Sequence, residues 1–470
     1  MGVKWTALLV AAIGFMPCLA AGQGSNPPLR RPDAAPTSQD APLPAPGPVP
    51  SPRTPAGHPE RVPMPPGEKP PATGMTLAEL EELAERCNPT LAQLAARVQA
   101  ARGQHLQVGL YPNPVVGYLG SEIGNEGRAG QQGGFIGQEV VTAGKLRLNR
   151  AVAGQEIRQA EYAWEAQRFR VLTDVRRGFY EVLVAQRTVE LAEQLVGIGE
   201  RGVKAAEELL KAKEVARADV LQARIEADSA RILLDKARNR YTGAWRSLVA
   251  VVGDPALQPT PLAGNLQDGI VQFTWEDALN RLLAESPQLA GAQAGVARAQ
   301  AALSRECAGR VPNVDLQAGV QYDNATRDTF ASVQIGVPIP IYNRNQGNIA
   351  RAQAELAAAQ HEVRRVRLAL EQRLAAVFEQ YATAHQQVEK YNQDIMPNAQ
   401  ESLRLVSSGY RQGEFSYLML LTAQRTYFQT NLAYLDALRD LRAAGVAIEG
   451  NLLGDSLQSA EGAERGPPQR

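Results

Sequence analysis

Histidine is the side chain most often recruited for metal binding and proton transfer, and the sequence carries four: His58, His105, His361 and His385. They stand far apart, and none has a cysteine or second histidine within the short separation that zinc-type ligand pairs use. Symmetry between copies could still bring one residue from each chain together, which spacing alone leaves open. The cysteines are Cys18, Cys87 and Cys307, and the sequence does not say whether the last two pair. Gly144-Lys145 hints at a phosphate loop, but the glycine such a loop needs at position 139 is Glu139, so a strand-to-helix turn is the better reading. Trp164, Trp245 and Trp275 fit core packing better than a binding box. With no nucleophile, base or ligand set in place, the expectation is no enzyme, no cofactor and no bound metal.

The elements that surround these residues are helical. Aromatic residues make up 6% of the chain, which suits long helices packed through small side chains. Lysine plus arginine equals aspartate plus glutamate at 49 each, so no basic surface calls for nucleic acid. Residues 1–21 read as a secretory signal: Lys4, an apolar run from Trp5 to Phe15, then Ala20 and Ala21. Cys18 offers the alternative of a lipoprotein signal, against which stand Pro17 and the bulky Phe15-Met16. Residues 22–74 form a proline-rich linker that cannot bury a core, with 17 of the 31 prolines between 23 and 74. Residues 454–470 are a polar tail. No later run reaches the ~18 apolar residues of a spanning helix, so an exported chain either stays soluble or enters a membrane as strands.

One stretch departs from the helical pattern. Val314, Leu316, Ala318, Val320 and Tyr322 alternate with Asp315, Gln317, Gly319, Gln321 and Asp323. After the turn Asn324–Asp328, the alternation resumes through Ala331, Val333, Ile335, Val337 and Ile339. Period two makes strands with one apolar and one polar face, each arm near the ~10 residues of a tilted membrane strand.

The chain also repeats itself once, at a spacing of about 200 residues, as a domain duplication does. Tyr111-Pro-Asn-Pro114 parallels Val311-Pro-Asn-Val314, and Asp219-Val-Leu-Gln-Ala223 parallels Tyr417-Leu-Met-Leu-Leu421. The repeats span 75–262 and 263–453. Each predicts two short helices (76–86 and 89–109; 274–284 and 287–309) and a strand pair (114–123 with 133–142; 313–323 with 329–339). The first pair alternates less cleanly, because Leu119 and Ile123 join Val116 and Tyr118. Long helices follow at 145–210 and 343–408, with apolar residues near the 3.5 spacing of a coiled-coil seam. Gly197, Gly199 and Gly202 are expected to interrupt the first, and Pro397 the second. Each turns at a tip (211–217; 409–415) into a returning helix (218–252; 416–451).

Four strands cannot close a barrel, and open edges in lipid leave backbone groups unsatisfied at several kcal/mol each. Three copies would supply twelve strands and an aqueous lumen. The layout resembles the TolC-type outer membrane efflux proteins over about residues 75–453. Its carriers are Pro112-Asn-Pro114, Gln138-Glu-Val-Val-Thr-Ala-Gly-Lys145, Pro338-Ile-Pro-Ile-Tyr-Asn-Arg-Asn-Gln-Gly347 and Gly409-Tyr-Arg-Gln-Gly-Glu-Phe-Ser-Tyr-Leu418. The third is similar to the heavy-metal branch, which serves cobalt–zinc–cadmium or copper–silver pumps.

The resemblance implies a trimeric twelve-stranded outer membrane barrel of Gram-negative bacteria, continued by a periplasmic coiled-coil tunnel. It implies a passive, gated duct for metal ions or small toxic molecules, partnered by a membrane-fusion adaptor and an inner-membrane pump of the RND type. The periplasmic gate then falls on Asp219 and Tyr410, with Phe415 where the family has an arginine, so that either Arg411 substitutes for it or closure rests on packing. Adaptor contacts fall on the tips Ala212, Lys213, Glu214 and Val215, and Gln412, Gly413 and Glu414. Without the resemblance, Asp219 reads as a helix-capping carboxylate and Tyr410 as an ordinary interfacial aromatic. The rival reading is a periplasmic coiled-coil scaffold that never enters a membrane, which leaves the alternation of 314–339 without a use.

Overall fold

The structure, a computed structural model, describes residues 74–457 apart from Arg128, Glu214 and Gly413. The signal segment with Cys18, the linker through residue 73 with His58, and residues 458–470 lie outside the described residues. In chain order the first repeat contains α1 (Leu77–Cys87), α2 (Pro89–Gln107), β1 (Val115–Ser121), β2 (Gln131–Val140), α3 (Lys145–Lys211) and α4 (Arg217–Val252). The second contains α5 (Trp275–Glu285), α6 (Pro287–Ala308), β3 (Val314–Asp323), β4 (Thr329–Gly336), α7 (Gln346–Lys390), α8 (Met396–Arg411) and α9 (Tyr417–Glu449).

Local chemistry sets these boundaries. Thr76 and Glu79 satisfy each other's backbone N–H groups at the start of α1. Asn88 ends that helix ahead of Pro89 and caps α2 through the Thr90 N–H. Thr274 and Ser286 do the same work for α5 and α6. The last strand stops at Gly336, short of the predicted 339, because Pro338 and Pro340 have no N–H to continue a ladder.

Of the two long rods, the first departs from expectation and the second follows it. All 67 residues of α3 are continuous through Gly197, Gly199 and Gly202, so these glycines do not interrupt it. Gly199 and Gly202 are contact points instead. A methyl group on Gly199 would lie 3.0 Å from the Ala227 Cα of α4, and one on Gly202 would lie 2.7 Å from the Tyr417 hydroxyl. The helical cost of each glycine, about 1 kcal/mol, is offset by this close approach. Pro397 does break the second rod. A π turn, Tyr391–Ile395, separates α7 from α8, and Met396 donates to the Tyr391 carbonyl five residues back. Widening the turn relieves the clash that the Pro397 ring would otherwise make with the carbonyl one turn earlier.

All four strands join one antiparallel sheet in the order β1-β2-β3-β4. The register Val116↔Ile136↔Ala318↔Val333 puts these side chains on one face, with Tyr118, Val320 and Ile335 beside them. Gln317, Gln321, Ser332 and Gln334 share the other face with several glycines. One is Gly117, over which the Phe135 ring lies. Leu119 also belongs to this second face and Ile123 lies beyond the strand, which explains the untidy alternation of the first hairpin.

The main core lies between helices of both repeats, with Leu80, Val171, Val175, Leu248, Leu370, Leu374 and Leu441 all essentially inaccessible. Arg442 reaches into it from α9. It donates to the carbonyls of Leu266, Asp268 and Gly269 and lies over the Tyr180 ring, so the segment joining the repeats is pinned to the last helix. Trp245 is buried here, and Trp275 packs edge-on to Phe378, as core residues do. Cys87 and Cys307 are not joined in a disulfide.

Candidate functional site

The tips are where two helix ends must be satisfied in a tight space. In the first, Ala212 caps α3 with its N–H on the Glu208 carbonyl. Lys213 then turns left-handed at φ 61°, a conformation that costs a side-chain-bearing residue about 1–2 kcal/mol. The chain extends at Ala216 and enters α4. Ala216 has no side-chain acceptor of its own. The Asp219 carboxylate reaches back 3.0 Å to the Ala216 N–H and also offsets the positive end of the helix dipole. Glu214 lies outside the described residues, Val215 is half-buried, and Ala212, Lys213 and Asp219 are exposed.

The second tip solves the same problem differently. Arg411 is the last residue of α8, Gln412 follows as its cap, and Gly413 lies outside the described residues. The Glu414 N–H returns 2.9 Å to the Gly409 carbonyl, closing the helix end. Ser416 caps α9 by accepting from the Met419 N–H.

Phe415, where the resemblance led us to look for an arginine, folds onto its own turn. Its ring occupies the space that a side chain on Gly409 would need. Tyr410 lies beside Tyr417, with ring centroids 6.0 Å apart. Tyr417 joins a small cluster with Ala206, Val220 and Ala223 of α3 and α4. Burial, then the neighbouring Tyr410 and Glu226, raises the Tyr417 phenol above its ordinary range. Higher up, the Arg425 guanidinium spans both Glu226 oxygens at 2.8 and 3.0 Å, tying α9 to α4.

Tyr410 and Phe415 are therefore brought into one turn, whereas Asp219 is engaged with its own helix. Among the described residues no hydrogen bond joins Asp219 to Tyr410. The sequence reading missed Tyr417, Gly409, Glu226 and Arg425 as tip residues. Tyr417 and Gly409 lie within the quoted motif Gly409–Leu418, but nothing in a single chain shows which of its residues face across. No group of histidine, cysteine and acidic side chains able to hold a metal ion occurs among the described residues. Nor is any described helix long and apolar enough to cross a membrane.

A family model described as outer membrane efflux protein matches residues 80–254 and 278–454. The chain belongs to this family. CzcC of Cupriavidus metallidurans, a cobalt-zinc-cadmium resistance protein, is 28% identical over 375 residues, which cover 80% of this chain and 89% of CzcC. The crystal structure of CusC superposes with a TM-score of 0.67 at 19% identity, over 80% of this chain and 92% of CusC. The outer membrane channel MtrE of Neisseria gonorrhoeae, in its open state, gives 0.65 at 18% identity, covering 80% and 88%. The mainly helical fold with a small sheet is thus shared with efflux channels, and the two matched segments fall one in each repeat.

Proposed function

We propose that three copies of this chain close a twelve-stranded barrel in the outer membrane and continue it as a helical tunnel in the periplasm. The sheet carries this reading. Its edges, β1 and β4, have no partner strand among the described residues, and one face is apolar and open, with Val116 78% and Val333 77% exposed. Such a surface is stable where lipid covers the face and copies cover the edges. Leu221, Ile225 and Ile232 on α4 are likewise exposed and suit packing against a neighbouring copy. A scaffold that stayed out of the membrane would leave both surfaces bare.

The duct contributes no chemistry of its own; energy comes from a pump in the inner membrane, engaged through an adaptor at the tips. The likeness to CzcC supports heavy-metal ions as cargo. Gating is a shift between closed and dilated packings of the helix pairs, biased by whatever binds the tips. The π turn at Tyr391–Ile395 gives the rod of α7 and α8 a point of flexure that α3 lacks.

Asp219 and Tyr410 do not meet within one chain, so their latch acts between copies, while Phe415 closes the second turn by packing. In planar bilayers Asp219→Ala and Tyr410→Phe are each expected to raise single-channel conductance. Unchanged conductance for both would remove them from the gate.

A further inference from the structure

A cavity of about 1310 Å³ lies away from the tips, along α2, α3, α6 and α7. Five arginines line it, Arg97, Arg170, Arg298, Arg365 and Arg373, and no aspartate or glutamate does. In a chain with equal numbers of acidic and basic residues, that is a local surplus of charge. Arg365 chelates Glu362, and Arg298 lies 3.7 Å from Glu156, both carboxylates just outside the lining.

Arg170 and Arg373 are different. Arg170 donates to the neutral amide oxygen of Gln167 at 3.1 Å. Arg373 donates to the Gln288 amide oxygen at 2.9 Å and to the Ala369 carbonyl at 3.3 Å. The carboxylate nearest to Arg170 in charge is Asp174, which accepts from the backbone N–H groups of Asp455 and Ser456 instead. Desolvation holds both guanidinium groups below their ordinary range, and Arg170 adds its repulsion at Arg373. Two partly buried like charges with a single carboxylate nearby, itself bound to backbone N–H groups, are costly, and fixed guanidinium forks are well shaped to chelate an oxyanion.

We propose that this cleft is a binding site for a multiply charged oxyanion of the phosphate class, held between Arg170 and Arg373. The amides of Gln93 and Gln159 supply neutral polar groups around it. Arg170 stands 25 residues along α3 from Lys145, roughly 37 Å of helix at about 1.5 Å per residue. A site that far from the sheet is out of reach of lipid headgroups, so the anion is a soluble one.

The test titrates the purified, detergent-solubilised full chain with inorganic pyrophosphate at constant ionic strength, by calorimetry and by thermal melting. Saturable binding and a raised melting temperature are expected. The double variant Arg170→Gln/Arg373→Gln should weaken binding by about tenfold or more. Arg404→Gln, which removes an exposed arginine paired with Glu401, should leave it unchanged. Arg373→Lys keeps the charge but loses the planar fork, and should bind more weakly even if the double variant does not fold. Absence of saturable heat and of any melting shift in the unaltered chain would overturn the proposal. So would an equal loss in Arg404→Gln, which would mark diffuse charge attraction. Dissociation of the oligomer in Arg170→Gln, with no pyrophosphate binding in the unaltered chain, would make a neighbouring copy's carboxylate the occupant and overturn it as well.

Discussion

The two repeats reach the same kind of tip by different physical routes. The first sends one unbroken helix of 67 residues down to a turn that holds Lys213 in a left-handed conformation and is closed by the Asp219 carboxylate. The second divides its rod at a π turn ahead of Pro397 and closes its turn by stacking Phe415 on Gly409, with Ser416 as the cap. Each tip thus has one half of a reciprocal cap, whereas Thr76 and Glu79 at the start of α1 have both. A duplicated sequence need not keep the same stabilising contact in both copies; it needs only that each helix end be satisfied. The hairpins diverge in the same manner. Glycines and an overlying aromatic ring build the first, and clean alternation builds the second.

The largest test of this contrast lies in the second hairpin. Val333→Arg puts a charge on the open apolar face and should cost roughly 2–4 kcal/mol per chain if lipid lies there. Recovery of heat-resistant oligomer from outer membranes should then collapse, while Ser332→Arg on the opposite face should be tolerated. Equal tolerance of both would remove the distinction between the faces.

At the second tip, Gly409→Ala forces a methyl group into the Phe415 ring and should destabilise the turn by about 1–3 kcal/mol. Hydrogen exchange near residues 409–416 should accelerate, and adding Phe415→Ala should restore it. At the first tip, Lys213→Gly removes left-handed strain and should slow local exchange by the equivalent of about 1 kcal/mol. Faster exchange there would mean that the Lys213 side chain earns its position through a contact.

The smallest effect is a pH dependence at Tyr417. Its raised phenol favours the folded packing, so that contribution is complete below the ordinary value of 10.0 and is lost as pH climbs through the folded value. Tyr417→Phe should abolish the alkaline loosening of the second tip, whereas the first tip should show none in either protein.

Much of this architecture is written in short patterns. Alternation at Val314–Tyr322, proline after Asn88 and Ser286, and the paired Pro-Asn turns each act over a few residues, so their elements are readable without the fold. The glycines at 197, 199 and 202 misled for the complementary reason. Helix propensity predicts a break, but the space that Gly199 and Gly202 save is filled by Ala227 and Tyr417, which are distant in sequence. Pro397 was legible because its defect is local; that the chain would absorb it as a π turn was not. At the tips, Asp219 and Tyr410 could be proposed by resemblance, yet the Arg425–Glu226 pair joins residues some 200 apart and has no local signature. The arginine cleft was hidden likewise, since its five members come from four helices.

Sheet closure between copies is tested most directly by native mass spectrometry of the protein extracted from outer membranes in mild detergent. A single species carrying three chains, resistant to dissociation until heated, is the predicted result. A stable single chain that keeps its strands and stays dispersed without detergent would contradict it.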